Sequence, residues 1–179
     1  MIFRPAAIPG VVVMDLEPQQ DSRGSFARFL CKDEFASHRL PTEFVQGSIS
    51  RSAARGTLRG MHLQLGPTPE EKLVRCTRGR VYDVILDLRK TSKSYKRWIA
   101  VELDEGSGRA VFIPSGCAHG FLTLEPDSEL LYLMTVRYDP EHQHGVRWND
   151  PSFAIDWPFE PAVIGERDCG FPDYAGRLG

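Results

Sequence analysis

The chain has 179 residues, with 22 Lys and Arg against 24 Asp and Glu and a formal net charge of −2. That length suits a single domain spanning 1–179 with a core of ordinary size, and the charge balance gives no footing for nucleic acid, which calls for a basic face. The four cysteines, Cys31, Cys76, Cys117 and Cys169, form no C-x-x-C pair, so neither a zinc ribbon nor a disulfide framework is expected. No apolar run approaches the ~20 residues of a membrane span, and the Met1-Ile2-Phe3-Arg4-Pro5 start lacks a signal-peptide layout. The expectation is a cytoplasmic protein with neither nucleic acid nor membrane as partner.

Thirteen prolines and sixteen glycines punctuate short apolar runs, a spacing that suits many strands joined by turns. Residues 11–14 form the first strand candidate, and 32–38 the best short helix in a chain with weak helical periodicity. Residues 73–76 lead through Gly79, read as a turn, into the clearest strand, 81–88. There Tyr82, Val84, Leu86 and Leu88 share one face and Val81, Asp83, Ile85 and Asp87 the other. The cluster Lys90, Lys93, Lys96 and Arg97 reads as a solvated hairpin loop before strands at 98–103 and 110–113. Residues 130–134 are apolar on both faces, as for a strand inside a sheet. The fold class implied is all-β, a sandwich or jelly-roll barrel with little helix.

Two segments carry polar residues that such strands have little structural use for. Pro114, Gly116 and His119 fit P-x-G-x-x-H, the second motif of the cupin barrels, and the segment 58–64 resembles the first, with His62 present and Gln64 in place of a second histidine. Metal-binding cupins place a glutamate seven residues before a turn glycine, where this chain has Lys72 before Gly79. An ammonium repels a divalent cation and removes its anionic ligand, so no metal and no other cofactor is expected. Lys72 instead supplies positive charge to a barrel interior.

Taken with Asp21-Ser22-Arg23-Gly24-Ser25-Phe26, Phe44-Val45-Gln46, Lys72-Leu73-Val74-Arg75, Val81-Tyr82-Asp83-Val84, Tyr132 and Trp148-Asn149-Asp150-Pro151, these segments resemble the dTDP-4-dehydrorhamnose 3,5-epimerase family from about Ile8 to Asp168. The resemblance implies a cupin jelly roll, a homodimer, and proton exchange beside the C4 ketone of a nucleotide-linked 4-keto-6-deoxyhexose in deoxysugar synthesis. It implies His62 as base, Asp168 as the carboxylate that holds its tautomer, Tyr132 as acid on the opposite side of the sugar, and Lys72 with His119 against the enolate oxygen. That division suits the chemistry, since a ketone acidifies its neighbouring C–H bonds but a base and an oxyanion partner must still be placed. Arg23 and Arg59 resemble the family's diphosphate clamps, a task for guanidinium geometry. Further substrate contacts are implied at Phe26, Arg28, Gln46 and Ser48, and at Gln64, Tyr138 and Arg167.

Some expectations conflict or stay open. Arg59 and His62 fall on opposite faces of a regular strand, unless Gly60 marks a bulge or Arg59 reaches round the edge. Without the resemblance, Tyr132 reads as core and Asp168 as an exposed tail carboxylate. His142 and His144 read as solvated turn residues, and Cys117 as a small buried filler. Arg28 stands where the family usually shows glutamate, and Gln46-Gly47-Ser48 where it shows Gln-Asp-Asn. Arginine offers only donors, which leaves CDP- or GDP-linked sugars open beside dTDP. Epimerisation at C3 alone, a sugar-binding cupin without turnover and a metal-dependent cupin oxygenase or isomerase are the competing functions.

Overall fold

The structure, a computed structural model, describes residues 1–176 and 178. Two antiparallel sheets face one another. The first orders β1 (Ile2–Pro5), β2 (Val12–Asp15), β10 (Ala110–Ile113), β7 (Lys72–Arg78), β12 (Ser128–Met134) and β5 (Gln46–Ser52) side by side. The second orders β13 (Gln143–Gly145), β6 (Thr57–Gln64), β11 (Cys117–Thr123), β8 (Arg80–Asp87) and β9 (Trp98–Asp104), with the stub β14 (Val163–Ile164) parallel to β6. A separate ribbon is formed by β3 (Gln19–Asp21) and β4 (Gly24–Phe26), and two short helices complete the fold, α1 (Lys32–Ser37) and α2 (Glu166–Cys169).

The period-two pattern decides what each sheet hides. Val81 and Ile85 of β8 point between the sheets, against Val74, Cys76, Val111, Cys117, Phe121 and Leu130. Alternate residues Val84 and Leu86, with Met61 and Leu63 of β6, pack outward under Val146, Phe153 and Tyr174. The outer face of the first sheet is closed by Phe35 of α1 over Met14, Leu73 and Phe112. Side chains on the inner faces of β6, β7, β8, β11 and β12 therefore point into one space, and that is where the polar residues sit.

The loop at 88–97 joins β8 to β9 as a turn, and its base is organised by Asp87. That fully buried carboxylate accepts from Arg89 Nε (2.8 Å), Ser92 Oγ (2.5 Å) and Ser94 Oγ (2.6 Å). Gly79 makes the β7–β8 turn at φ +70°.

The parity conflict between Arg59 and His62 resolves into a bulge. Along β11, His119 faces His62 and Phe121 faces Arg59, so two residues of β6 oppose the single Gly120. The extra residue returns Arg59 and His62 to the same face. Glycine is required there: Gly60 has φ +125°, and a Cβ on it would lie 2.5 Å from the Gly120 Cα.

Candidate active site

His62 stands on the inner face of β6, and its partner arrives from the chain's far end. Asp168, in α2, lies with Oδ1 2.6 Å from His62 Nε2 while its Oδ2 accepts the Gly60 N–H at 2.9 Å. Burial pushes the Asp168 carboxyl up, but the hydrogen bonds from His62 and the Gly60 amide outweigh it and hold the group below the ordinary aspartate value. A carboxylate only accepts, so the pair places the His62 proton on Nε2 and leaves Nδ1 with a lone pair. The tail carboxylate read as exposed on sequence alone is buried and paired, as the resemblance implied.

A second pair lies deeper. His119 Nε2 is 2.7 Å from Asp83 Oδ2, with the two side chains 5 % and 0 % exposed. Asp83 Oδ1 is buried without a hydrogen-bond partner among the described residues. The ring of Tyr132 meets the His119 ring edge-on, 5.9 Å between centroids. Desolvation holds the Tyr132 phenol well above its ordinary range; the Asp83 charge adds to this and Arg59 opposes it. Tyr132 thus keeps its proton across the neutral range and has one to give.

Lys72, at the start of β7, is buried, and its Nζ lies 2.6 Å from Glu70 Oε2. The sequence reading missed Glu70, which sits in a Pro- and Gly-rich loop with no pattern to set it apart. Arg59 donates from Nε to Ser52 Oγ (3.3 Å) and from Nη2 to the Arg51 carbonyl (3.1 Å). The structure therefore brings His62, Asp168, Lys72, His119, Tyr132 and Arg59 to the inner faces of neighbouring strands or onto them.

Gln64 borders the same hollow as Tyr138 and ties the 137–143 segment to β6. Its Oε1 accepts from the Asp139 N–H and from Gln143 Nε2, both at 2.9 Å, and its Nε2 donates to the Arg137 carbonyl at 2.9 Å. His142 and His144 are likewise not free turn residues: His142 Nδ1 is 2.7 Å from Asp139 Oδ2, and His144 pairs with Leu63 in β13. Tyr138, 57 % exposed, borders a hollow of about 500 Å³ with Val45, Pro67 and His142. Its N–H donates to Gln46 Oε1 at 2.9 Å, and Ser48 lies directly across from Tyr132 on the edge strand β5. Arg167 lies over the Phe171 ring at 5.9 Å.

The remaining candidates stand apart. Arg23 is bound to Asp21 of its own ribbon, and Phe26 is 76 % exposed. Phe26 and Arg28 border a hollow with Glu17, Gln19 and Glu34 on the α1 side, and the Arg28 guanidinium is 3.1 Å from Glu34. Cys117 is buried and its thiol is pushed up to about 12 by desolvation, which suits a filler and not a nucleophile. Among the described residues no cluster of three His, Cys, Asp or Glu could hold a metal ion, and no helix is long and apolar enough to cross a membrane.

Known proteins are similar to this chain in sequence and fold. The sequence model of the dTDP-4-dehydrorhamnose 3,5-epimerase family matches residues 5–175. The enzyme of that name from Methanothermobacter thermautotrophicus is 40 % identical over 169 residues, 93 % of this chain and 90 % of that protein. A dTDP-4-dehydrorhamnose 3-epimerase from Streptomyces niveus is 39 % identical over 169 residues, covering 94 % and 81 %. The crystal structure of the 3,5-epimerase of Bacillus anthracis with TDP and PPi bound superposes with a TM-score of 0.93 at 33 % identity, covering 97 % and 99 % of the two chains. With its motifs, its double-sheet barrel and nearly all of its length matched, the chain belongs to the dTDP-4-dehydrorhamnose 3,5-epimerase family.

Proposed function

We propose that residues 1–179 act as a single epimerase domain that inverts C3 and C5 of a dTDP-linked 4-keto-6-deoxyhexose by a metal-free enolate mechanism. The observation that carries it is the 2.6 Å His62–Asp168 pair on a barrel wall facing a protonated tyrosine. His62 Nδ1 takes the proton from C3, and the C–H electrons move into the C4 carbonyl to make an enolate. Lys72 and His119 stabilise that oxyanion, with the His119 ring held by Asp83. Tyr132 then gives its proton to C3 from the opposite face as the carbonyl reforms, which inverts the centre. Exchange with solvent then takes the proton from His62 and returns one to Tyr132, and repetition at C5 completes the reaction.

Arg59 is assigned to the diphosphate and Tyr138, Gln46 and Ser48 to the nucleoside end. Arg23, Phe26 and Arg28 lie on a ribbon and a flank that point away from their own barrel, which supports a homodimer in which each subunit lends them to its partner's site. Epimerisation at C3 alone is the second reading, favoured by the similarity to a 3-epimerase. Incubation in D₂O with mass spectrometry decides: two deuterons support inversion at both carbons, one supports C3 alone, and none in the wild type sinks both. Running dTDP-, CDP- and GDP-linked substrates side by side tests the base, and preference for the CDP or GDP sugar would overturn the thymidine assignment.

A further inference from the structure

Asp168 rides on a helix of only four residues whose N-cap, Gly165, makes no side-chain cap bond. Upstream it is tied to the barrel by β14, where Val163 and Ile164 pair with Thr57 and Leu58 of β6. Downstream the tail runs along the same edge of β6, the one opposite β11, to reach β13. There the Phe171 ring stands edge-on to the His62 ring, 6.2 Å between centroids. It rests against Gly145, the residue of β13 that pairs with His62, and a Cβ on Gly145 would land on the ring.

The seat is local. Between β13 and residues 171–174 lies a small cavity of about 150 Å³, so this tail does not lie flush along the strand. Beyond it the tail is pinned again. Tyr174 N–H donates to Asp150 Oδ2 at 2.5 Å, Tyr174 and Tyr95 hydroxyls lie 2.9 Å apart, and Asp173 pairs with Arg147.

We propose that Phe171, seated on the bare backbone of Gly145, is the positioning residue that sets Asp168 against His62. The inference rests on the proposed epimerase reading for its kinetic test only. Phe171 links the two members of the arrangement: it follows Asp168 by three residues, and its ring stands edge-on to the His62 ring. The bonds from Gly60 and His62 settle which atoms Asp168 meets, while the tail decides where its backbone can stand. A shift of about 1 Å in a catalytic group costs on the order of 10²-fold in rate.

The experiment compares Phe171→Ala, Phe171→Leu, Gly145→Ala and the double variant Gly145→Ala/Phe171→Ala in deuterium wash-in kinetics. It also records the low-field proton resonance of the His62–Asp168 hydrogen bond, identified by its loss in Asp168→Asn. Phe171→Ala is expected to lower kcat by roughly 10–100-fold with KM unchanged and to weaken or shift that resonance. Phe171→Leu, which keeps apolar bulk and guards against loss of the fold, should retain more of both. Gly145→Ala should lose kcat by unseating the ring, and the double variant should lose no more than Phe171→Ala alone. Losses that multiply in the double variant, a change confined to KM, or an unaltered resonance in Phe171→Ala would overturn the assignment. Absence of wash-in in the wild type would count against the epimerase reading alone, since the resonance still tests the positioning.

Discussion

The barrel holds two imidazole–carboxylate pairs of nearly equal length, 2.6 Å for His62–Asp168 and 2.7 Å for His119–Asp83, and they are built in opposite ways. His119 and Asp83 come from adjacent strands, β11 and β8, and are 5 % and 0 % exposed. His62 is 32 % exposed, and its carboxylate is carried in from 106 residues away on the C-terminal segment. A pair locked in a sheet and sealed from water is made to hold a charge distribution still. One with an open imidazole and a partner on an adjustable tail is made to take and release a proton.

The largest consequence falls on rate. His62→Ala and Asp168→Asn are each expected to lower kcat by about 10³–10⁴-fold, the range for a positioned base and for a carboxylate that holds its tautomer. Deuterium wash-in measures it. A loss under tenfold in either variant would remove His62 from the role of base and erase the contrast.

The same deletion at the buried pair should show first in stability. His119→Phe leaves the Asp83 carboxylate buried without its cation or donor, a defect of about 3–5 kcal/mol, or a fall in Tm of about 10 °C for a chain of this size. His62→Phe, at a third-exposed position beside a carboxylate that keeps the Gly60 amide, should cost no more than about 1 kcal/mol. Equal melting temperatures for the two variants would break the comparison.

Acid separates the pairs from a third buried carboxylate. Burial works against the Asp87 anion, but the hydrogen bonds from Arg89, Ser92 and Ser94 win and lower it to about 2. A depressed carboxyl contributes stability above its unfolded value near 3.8, and that contribution is lost as pH falls through the folded value. For Asp87 it is on the order of 2 kcal/mol, fading between about pH 4 and 2. Asp168 is also depressed, by its bonds to His62 and Gly60 against the pull of burial. Both carboxylates therefore remain anionic at pH 5–7, and neither is expected to cause a loss of wash-in on acidification in that range. Asp87→Asn should flatten the acid unfolding limb below pH 4 and leave the wash-in profile in place.

The strands were legible because their chemistry is local. The alternation around Asp83 and Ile85 marked β8 within one residue of its ends. β5 was not legible, since Gln46–Ser52 is almost wholly polar and becomes a strand only by pairing with β12. The bulge at Gly60 was posed by parity but decided by Gly120 across the ladder. Asp168 was reached through the family resemblance and never through pattern, because what makes it a partner of His62 is a tail path set by Gly145, Arg147 and Asp150. Gln64 was picked out by its motif position, while the loop its amide ties down, more than seventy residues away, could not be read from sequence.

The smallest expected effect concerns Glu70, whose carboxylate lies 2.6 Å from the Lys72 ammonium, the two side chains 9 % and 11 % exposed. Lys72 and Arg59 bring fixed positive charge to the barrel, and Glu70 cancels part of it. Glu70→Gln keeps an acceptor for the ammonium and removes one negative charge. KM for the anionic nucleotide sugar should then fall by about three- to tenfold, roughly 0.7–1.4 kcal/mol, as for unit charges several ångströms apart at an effective dielectric near that of a protein surface. The gain should shrink as ionic strength rises. Because the catalytic pairs are untouched, kcat should move by less than about tenfold in either direction. A rise in KM instead would mean that Glu70 holds Lys72 in place more than it masks it. Glu70→Asp, which retains the charge on a shorter arm, separates the two: it should bind substrate as the wild type does if charge decides, and share the rise if position does.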